Sequence, residues 1–211
     1  MNKKYNFFNT TDQDYNFTPP EKYKHTYSAG ILPYQIDENN QVYFLLGKDS
    51  DGYWSDFGGK CEAKDKNCII QTAAREFYEE SLGSILNQQT LRSLLKNQAN
   101  YKFVNSCSNA GIRYYMFILR IPMLKDTFRD RFEKTHNFLK FIHKSSENTN
   151  IGYEFFEKSD IGWISMHTLL SILHNEKKEK ELGWPLRKVF KKTLFSCKDT
   201  ILEIKNEEMY V

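Results

Sequence analysis

Apolar runs of strand length alternate with helical apolar stripes along this chain. YSAGILPY (Tyr27 to Tyr34) and VYFLLGK (Val42 to Lys48) are β-rich runs separated by DENNQ at 37–41, a turn signal, and together they predict a hairpin. IRYYMFILRI at 112–121 is the strongest strand run in the chain; 101–106 precedes it, with Gly111 turning between the two. Between these pairs, Ile70, Ala73, Ala74, Phe77 and Ser81 fall within about 100° of one another at 100° per residue, the buried stripe of a helix. Asp65 or Asn67 supplies its N-cap, Gly83 its C′ residue, and Ile69 projects out of the stripe toward the acidic face.

Later segments repeat this grammar. Thr90 to Lys96 reads as a short helix, and 126–144 as an amphipathic one with Phe128, Phe132, Thr135, Phe138, Leu139 and Ile142 on a helical period. His136 and His143 on that helix suit a polar surface role better than a metal site. A short strand is expected around Gly162 to Ile164 and a helix near His167 to His174, and Pro185 at N1 opens a last helix, LRKVFKKTLF. Residues 1–24 carry Pro19-Pro20 and no period, so they read as a tail or strap. The predicted organisation is one α/β domain at 25–205, with a helical insertion at about 124–146 and a short tail at 206–211.

Composition narrows the class. With 211 residues, 40% hydrophobic and 15% aromatic, the chain is globular, and no apolar run reaches the ~18 residues of a membrane helix. Cys61, Cys68, Cys107 and Cys197 form no CxxC pair and have no histidines at zinc spacing, which predicts reduced thiols in a cytoplasmic or other reducing compartment. Net charge is only +3, but Lys177, Lys178, Lys180, Arg187, Lys188, Lys191, Lys192 and Lys198 crowd the C-terminal part. They read either as a solvated helix face or as a basic rim for a polyanionic substrate.

The chemistry concentrates at 58–83, GGKCEAKDKNCIIQTAAREFYEESLG. On a helix, Glu76, Glu79 and Glu80 share one face, where like charges at i+3 and i+4 repel. Such a face is either solvated or holds a hard divalent cation through oxygen ligands. The glycine turn before it favours the second reading.

This stretch resembles the signature of the Nudix hydrolases: a glycine, five residues, an acid, seven residues, then Arg-Glu-apolar-any-Glu-Glu-any-Gly-apolar. Gly59 is the first glycine, Lys60 to Lys64 are the five residues, and Asp65 stands where the family usually has Glu. Arg75, Glu76, Phe77, Tyr78, Glu79 and Glu80 match position by position. In the lead-in WSDFGGKCE, Phe57 replaces a common proline and Glu62 occupies a frequently acidic site. Two departures flank the helix: nine residues, Lys66 to Ala74, separate Asp65 from Arg75, and Gly83 comes one place late.

The resemblance implies an α/β/α sandwich with a mixed sheet and a Mg²⁺- or Mn²⁺-dependent pyrophosphohydrolase that cleaves a nucleoside diphosphate linked to another moiety. It implies metal-ligand roles for Glu76, Glu79, Glu80 and the Gly59 carbonyl, with Arg75 orienting the glutamates. The general base is Glu76, Glu154 or Glu157, and Glu157 is preferred as a further acid of the metal site. Trp54, Phe57, Tyr114 and Tyr115 either stack a base or belong to the core, while Lys60 and Arg113 are candidate phosphate contacts. Expected substrates include the 5′ cap of mRNA, free nucleotides, dinucleoside polyphosphates, ADP-ribose and diphosphoinositol phosphates. A non-catalytic RNA-binding member of the same fold is the alternative of another class.

Overall fold

A computed structural model describes residues 27–107, 111–122, 127–145 and 151–207, with side chains to 204. The expected tail at 1–24 lies outside these residues, as does most of the linker before Ile151; of the tail expected at 206–211, residues 206–207 belong to the last helix and 208–211 lie outside. The central strand is β1 (Tyr27–Ile36), which pairs in parallel with β6 (Arg113–Arg120) along its length. On its other side it changes partner: Ser28–Ile31 pair with β4 (Phe57–Lys60), and Tyr34–Ile36 with β2 (Val42–Asp49), both antiparallel. The short β3 (Trp54–Ser55) and β7 (Lys158–Ser165) extend from β2, and β5 (Tyr101–Cys107) pairs antiparallel with β6.

The strands read as nearly continuous apolar runs because both faces of the sheet are covered. Leu45, Phe117 and Leu119 point to one face, toward α1 (Ile69–Glu80), α2 (Gln88–Leu95) and α3 (Thr127–Ser145). Their neighbours Phe44, Leu46, Met116 and Ile118 point to the other. There they meet α4 (Met166–Ile172), α6 (Lys188–Ser196) and α7 (Lys198–Glu207). The expected α/β/α sandwich with a mixed sheet is thus observed, and α3 supplies the helical insertion through Phe128 and Phe132. No helix among the described residues is long and apolar enough to cross a membrane, and all four cysteines are free.

Several local expectations are corrected. Ile69, not Ile70, is fully buried in the α1 core, and the helix starts directly after Cys68 rather than at an Asp65 or Asn67 cap. Asp65 instead closes the short 3₁₀ turn Ala63–Asp65. Lys66 and Asn67 then take left-handed φ angles of 52° and 58°, so the two extra residues form a kink outside the helix. At the other end Ser81 is the C-cap and Leu82 follows it in the left-handed region at φ 54°; Gly83 comes one residue beyond, its N–H donating to the Tyr78 carbonyl. The strand expected at Gly162 to Ile164 is part of the second half of the eight-residue β7.

Pro185 does not open a helix. Its carbonyl accepts the Trp54 N–H, Leu186 bridges to Trp54, and α6 begins only after Arg187. The preceding Lys-rich segment holds a further short helix, α5 (Glu176–Glu181). His136 is buried rather than at the surface: its ring lies between Phe132 and Phe156, and burial together with Lys140 holds its pKa below the ordinary imidazole value. Phe138, expected on the apolar stripe of α3, is exposed.

Candidate active site

β4 ends at Gly58, Gly59 and Lys60 where α1 crosses it, so the loop backbone meets the acidic face of the helix. The Gly58 N–H donates to Glu80 Oε2 at 2.8 Å. Glu76 lies so close to Gly59 that an added Cβ there would stand 2.5 Å from Glu76 Oε1. Only a residue without a side chain permits this approach.

Arg75 ties the helix to the loop. Its Nε and Nη2 donate to Asp65 Oδ1 and Oδ2, each at 2.9 Å, and Nη2 also donates to the Lys60 carbonyl at 2.8 Å. Its Nη1 reaches Glu79 Oε2 at 2.8 Å and Glu76 Oε1 at 2.9 Å. Asp65 further accepts the Glu62 N–H at 2.9 Å and the Thr72 hydroxyl at 3.1 Å. Burial opposes charge on Asp65, but Arg75 and the Glu62 N–H outweigh it and hold its carboxyl below the usual range.

Glu76, Glu79 and Glu80 are all buried, which excludes a solvated acidic face. Burial pushes Glu76 up to about 7, although Arg75 pulls it down, and the charges of Glu79 and Glu157 add to the rise. Burial likewise pushes Glu80 up to about 8; Lys158 opposes, while Glu76, Glu157 and Asp49 reinforce. The exposed Glu157, at the end of the 3₁₀ turn Tyr153–Phe156, therefore lies within electrostatic reach of both glutamates. Glu154, one turn earlier, folds back over Gly152.

A second set of charged residues adjoins this one. The buried Lys158 Nζ donates to Asp49 Oδ1 at 2.6 Å, Ser55 Oγ at 2.7 Å and the Asp56 carbonyl at 3.1 Å, and stands 3.4 Å from Glu80 Oε1. Arg187 Nε caps the other oxygen of Asp49 at 2.5 Å, and the Tyr114 hydroxyl binds Asp56 Oδ2. None of Lys158, Asp49 and Asp56 stands out in the sequence as a site residue, and Arg187 does so only as one of the C-terminal basic residues. Lys158 directly follows Glu157, but its partner Asp49 lies 109 residues away, and nothing in composition or period links the two.

As donors for a hard cation, this set fits by chemistry. Every candidate ligand is an oxygen, and burial, with the neighbouring carboxylates adding to it, raises Glu76 and Glu80. Among the described residues, no three His, Cys, Asp or Glu side chains converge into a ready-made cage; Arg75 and Lys158 occupy the carboxylate oxygens instead.

The aromatic candidates belong to the core. Phe57 packs on Phe77, Trp54 packs at a tilt against Trp184 and donates its indole N–H to the Gly183 carbonyl, and Tyr115 is fully buried beside Tyr27. Strand pairing turns the rings of Trp54 and Phe57 into the two packed layers. Lys60 keeps its side chain exposed beside the loop, and Arg113 sits at the start of β6 opposite Tyr27.

No family model matches the chain. A 79-residue segment is 37% identical to uncharacterized protein L534 of Acanthamoeba polyphaga mimivirus, covering 35% of this chain and 25% of that protein. The chain thus spans about a quarter of that relative's length. Among solved structures, a Nudix hydrolase from M. smegmatis, RenU, is similar over 86% of this chain and 89% of its own, at 11% identity and a TM-score of 0.46. The Bacillus subtilis pyrophosphohydrolase BsRppH is similar over 85% and 82%, at 13% identity and a TM-score of 0.44. A C. elegans Ap4A hydrolase is similar over 74% and 89%, at 15% identity and a TM-score of 0.37.

Proposed function

We infer that this chain is a Nudix hydrolase, whose reaction is attack of water on the phosphoric anhydride of a nucleoside diphosphate linked to another group. The observation that carries this reading is the convergence on Arg75. Despite the longer loop, its guanidinium grips Asp65 bidentately and reaches Glu76 and Glu79 on the opposite side. A surface arginine has no reason to be buried among three acids. An arginine that sets the orientation of two glutamates beside a glycine turn does.

In this reading Glu76, Glu79, Glu80, the Gly59 carbonyl and Glu157 are the residues that hold Mg²⁺ or Mn²⁺. An ion held there would offset the diphosphate charge and acidify a water. Arg75 and the Gly58 N–H fix the glutamate rotamers before substrate arrives, which removes reorganisation from the chemical step. Glu157 is assigned as the general base: it is exposed to the approaching substrate and lies in the field of the buried pair. Lys60, exposed beside the glycine turn, is assigned to a substrate phosphate, with Arg113 as a second candidate.

Surface charge favours capped RNA within the substrate class. Lys177, Lys180 and Lys188 are exposed on α5 and α6, and this basic segment joins the site through Arg187 on Asp49. A long polyanion would gain from such a track and a free nucleotide would not. The test is a panel of capped RNA, nucleoside triphosphates, dinucleoside polyphosphates and ADP-ribose with Mg²⁺ and Mn²⁺, run on wild type and on Glu79→Gln/Glu80→Gln. Metal-dependent release of a phosphorylated product by wild type, abolished in the double variant, is expected. Activity that survives both substitutions overturns the site, and no turnover of any substrate favours the non-catalytic RNA-binding alternative. Equal turnover of free cap analogue and long capped RNA at low salt overturns the RNA track.

A further inference from the structure

Lys158 is buried to the tip of its side chain, an uncommon place for an ammonium. Its stem enters the core over Gly47 of β2, where an added Cβ would stand 2.8 Å from Lys158 Cδ and 2.9 Å from Cε. Phe57 closes the other side, its ring centroid 5.8 Å from Nζ. The β2–β7 register shifts between Lys48 and Asp49, which brings Asp49 directly opposite Lys158. Backbone irregularity, a missing side chain and an aromatic wall together make room for one cation.

The polar partners of that cation are all oxygens. Asp49, Ser55 and the Asp56 carbonyl lie within 3.1 Å, and Glu80 lies at 3.4 Å. Carboxylates, a hydroxyl and a main-chain carbonyl are also the donors a hard divalent ion takes. A single buried aspartate would suffice to neutralise a lysine. Here the ammonium is shared between Asp49, which already has Arg187, and Glu80, a member of the glutamate cluster.

We propose that Lys158 is a built-in cation of the acidic centre, standing where a divalent ion would otherwise bind between Glu80 and Asp49. The protein then binds one divalent ion fewer than its carboxylates would hold. The proposal rests on the reading of Glu76, Glu79 and Glu80 as metal ligands. It adds that this chain carries one of its positive charges covalently, so that Glu80 stays oriented before any ion arrives.

The experiment counts Mn²⁺ bound per chain by the paramagnetic resonance of free Mn²⁺, in chelator-treated full-length protein, and measures the melting temperature with and without Mn²⁺. Lys158→Met keeps the stem and removes the charge, and Lys158→Arg keeps the charge. The methionine variant is expected to bind about one Mn²⁺ more than wild type and to melt lower without metal, regaining more on Mn²⁺ addition than wild type gains. The arginine variant is expected to keep the wild-type count. Equal Mn²⁺ counts and equal Mn²⁺-induced shifts in wild type and Lys158→Met overturn the built-in cation and leave the wider metal reading standing. A Lys158→Met protein that stays unfolded at saturating Mn²⁺, by circular dichroism, overturns it equally, since no divalent ion then takes over the place of the ammonium. No Mn²⁺ bound by either protein overturns both readings together.

Discussion

Arg75 and Asp65 meet through two parallel hydrogen bonds, Nε to Oδ1 and Nη2 to Oδ2, each 2.9 Å long and both shielded from water. The pair fixes the free end of Arg75, so that Nη1 faces Glu76 and Glu79. Removing Asp65 leaves Arg75 paired with Glu76 and Glu79 but takes acceptors from its buried Nε and Nη2 donors, at a cost of about 1–3 kcal/mol. Asp65→Ala is therefore expected to lower the urea-unfolding free energy by about that amount. It should lower kcat more than it raises KM, because the glutamates lose their orienting group rather than substrate contacts. A variant with wild-type stability and kcat would show that Asp65 is not the anchor.

The two residues that lengthen this loop, Lys66 and Asn67, both adopt left-handed φ angles, and the Cys68 N–H then returns to the Asp65 carbonyl at 3.0 Å. They form a closed excursion between the anchor and the helix. Deleting both should leave a folded protein with hydrolytic activity within about threefold of wild type, since two strained non-glycine residues are removed with them. Loss of the Arg75–Asp65 pairing, seen as an activity drop as large as that of Asp65→Ala, would show that the excursion sets the register of the helix.

How far the sequence reached depends on the range of each interaction. The strand runs at 27–34, 42–48 and 112–121, and the helix carrying Arg75, follow local periodicity, and the structure has them within a few residues. Boundaries moved where a single backbone torsion or cap decided them, as at Ile69, Leu82 and Pro185. The aromatic residues near the site were legible only as apolar. Which layer Trp54 and Phe57 enter depends on the pairing of β3 and β4, which no window of sequence contains. Lys158 was invisible for the same reason, because its partners Asp49, Ser55 and Glu80 come from β2, β3 and α1, and Asp56 from the single residue between β3 and β4.

Gly59 tests how tightly the turn is fitted to the helix. In Gly59→Ala the new methyl would stand 2.5 Å from Glu76 Oε1, so the carboxyl must move by several tenths of an ångström or more. A displacement approaching 1 Å at a reacting centre costs on the order of 100-fold in rate. The expected outcome is a loss of activity on that order, with a melting temperature close to wild type, because the clash lies at the end of a side chain rather than in the core. A variant that keeps full activity would show that Glu76 is free to occupy another rotamer without consequence.

Asp56 gives the clearest pH dependence away from the glutamates. Burial pushes its carboxyl up to about 6 from 3.8, against the pull of the Tyr114 hydroxyl and of Lys158. The folded state therefore holds this proton more tightly than the unfolded chain does. The stability tied to it is full below about pH 4 and is lost as pH rises through about 6. Asp56→Asn keeps an acceptor for Tyr114 and removes the titration. Relative to wild type it should gain on the order of 1–3 kcal/mol in unfolding free energy between pH 4 and pH 7.5. Both proteins carry the same glutamates, so those contributions cancel in the difference. Urea unfolding of the two chelator-treated proteins across this range measures it, and a difference that does not change with pH would show that Asp56 ionises in the fold as readily as it does in water.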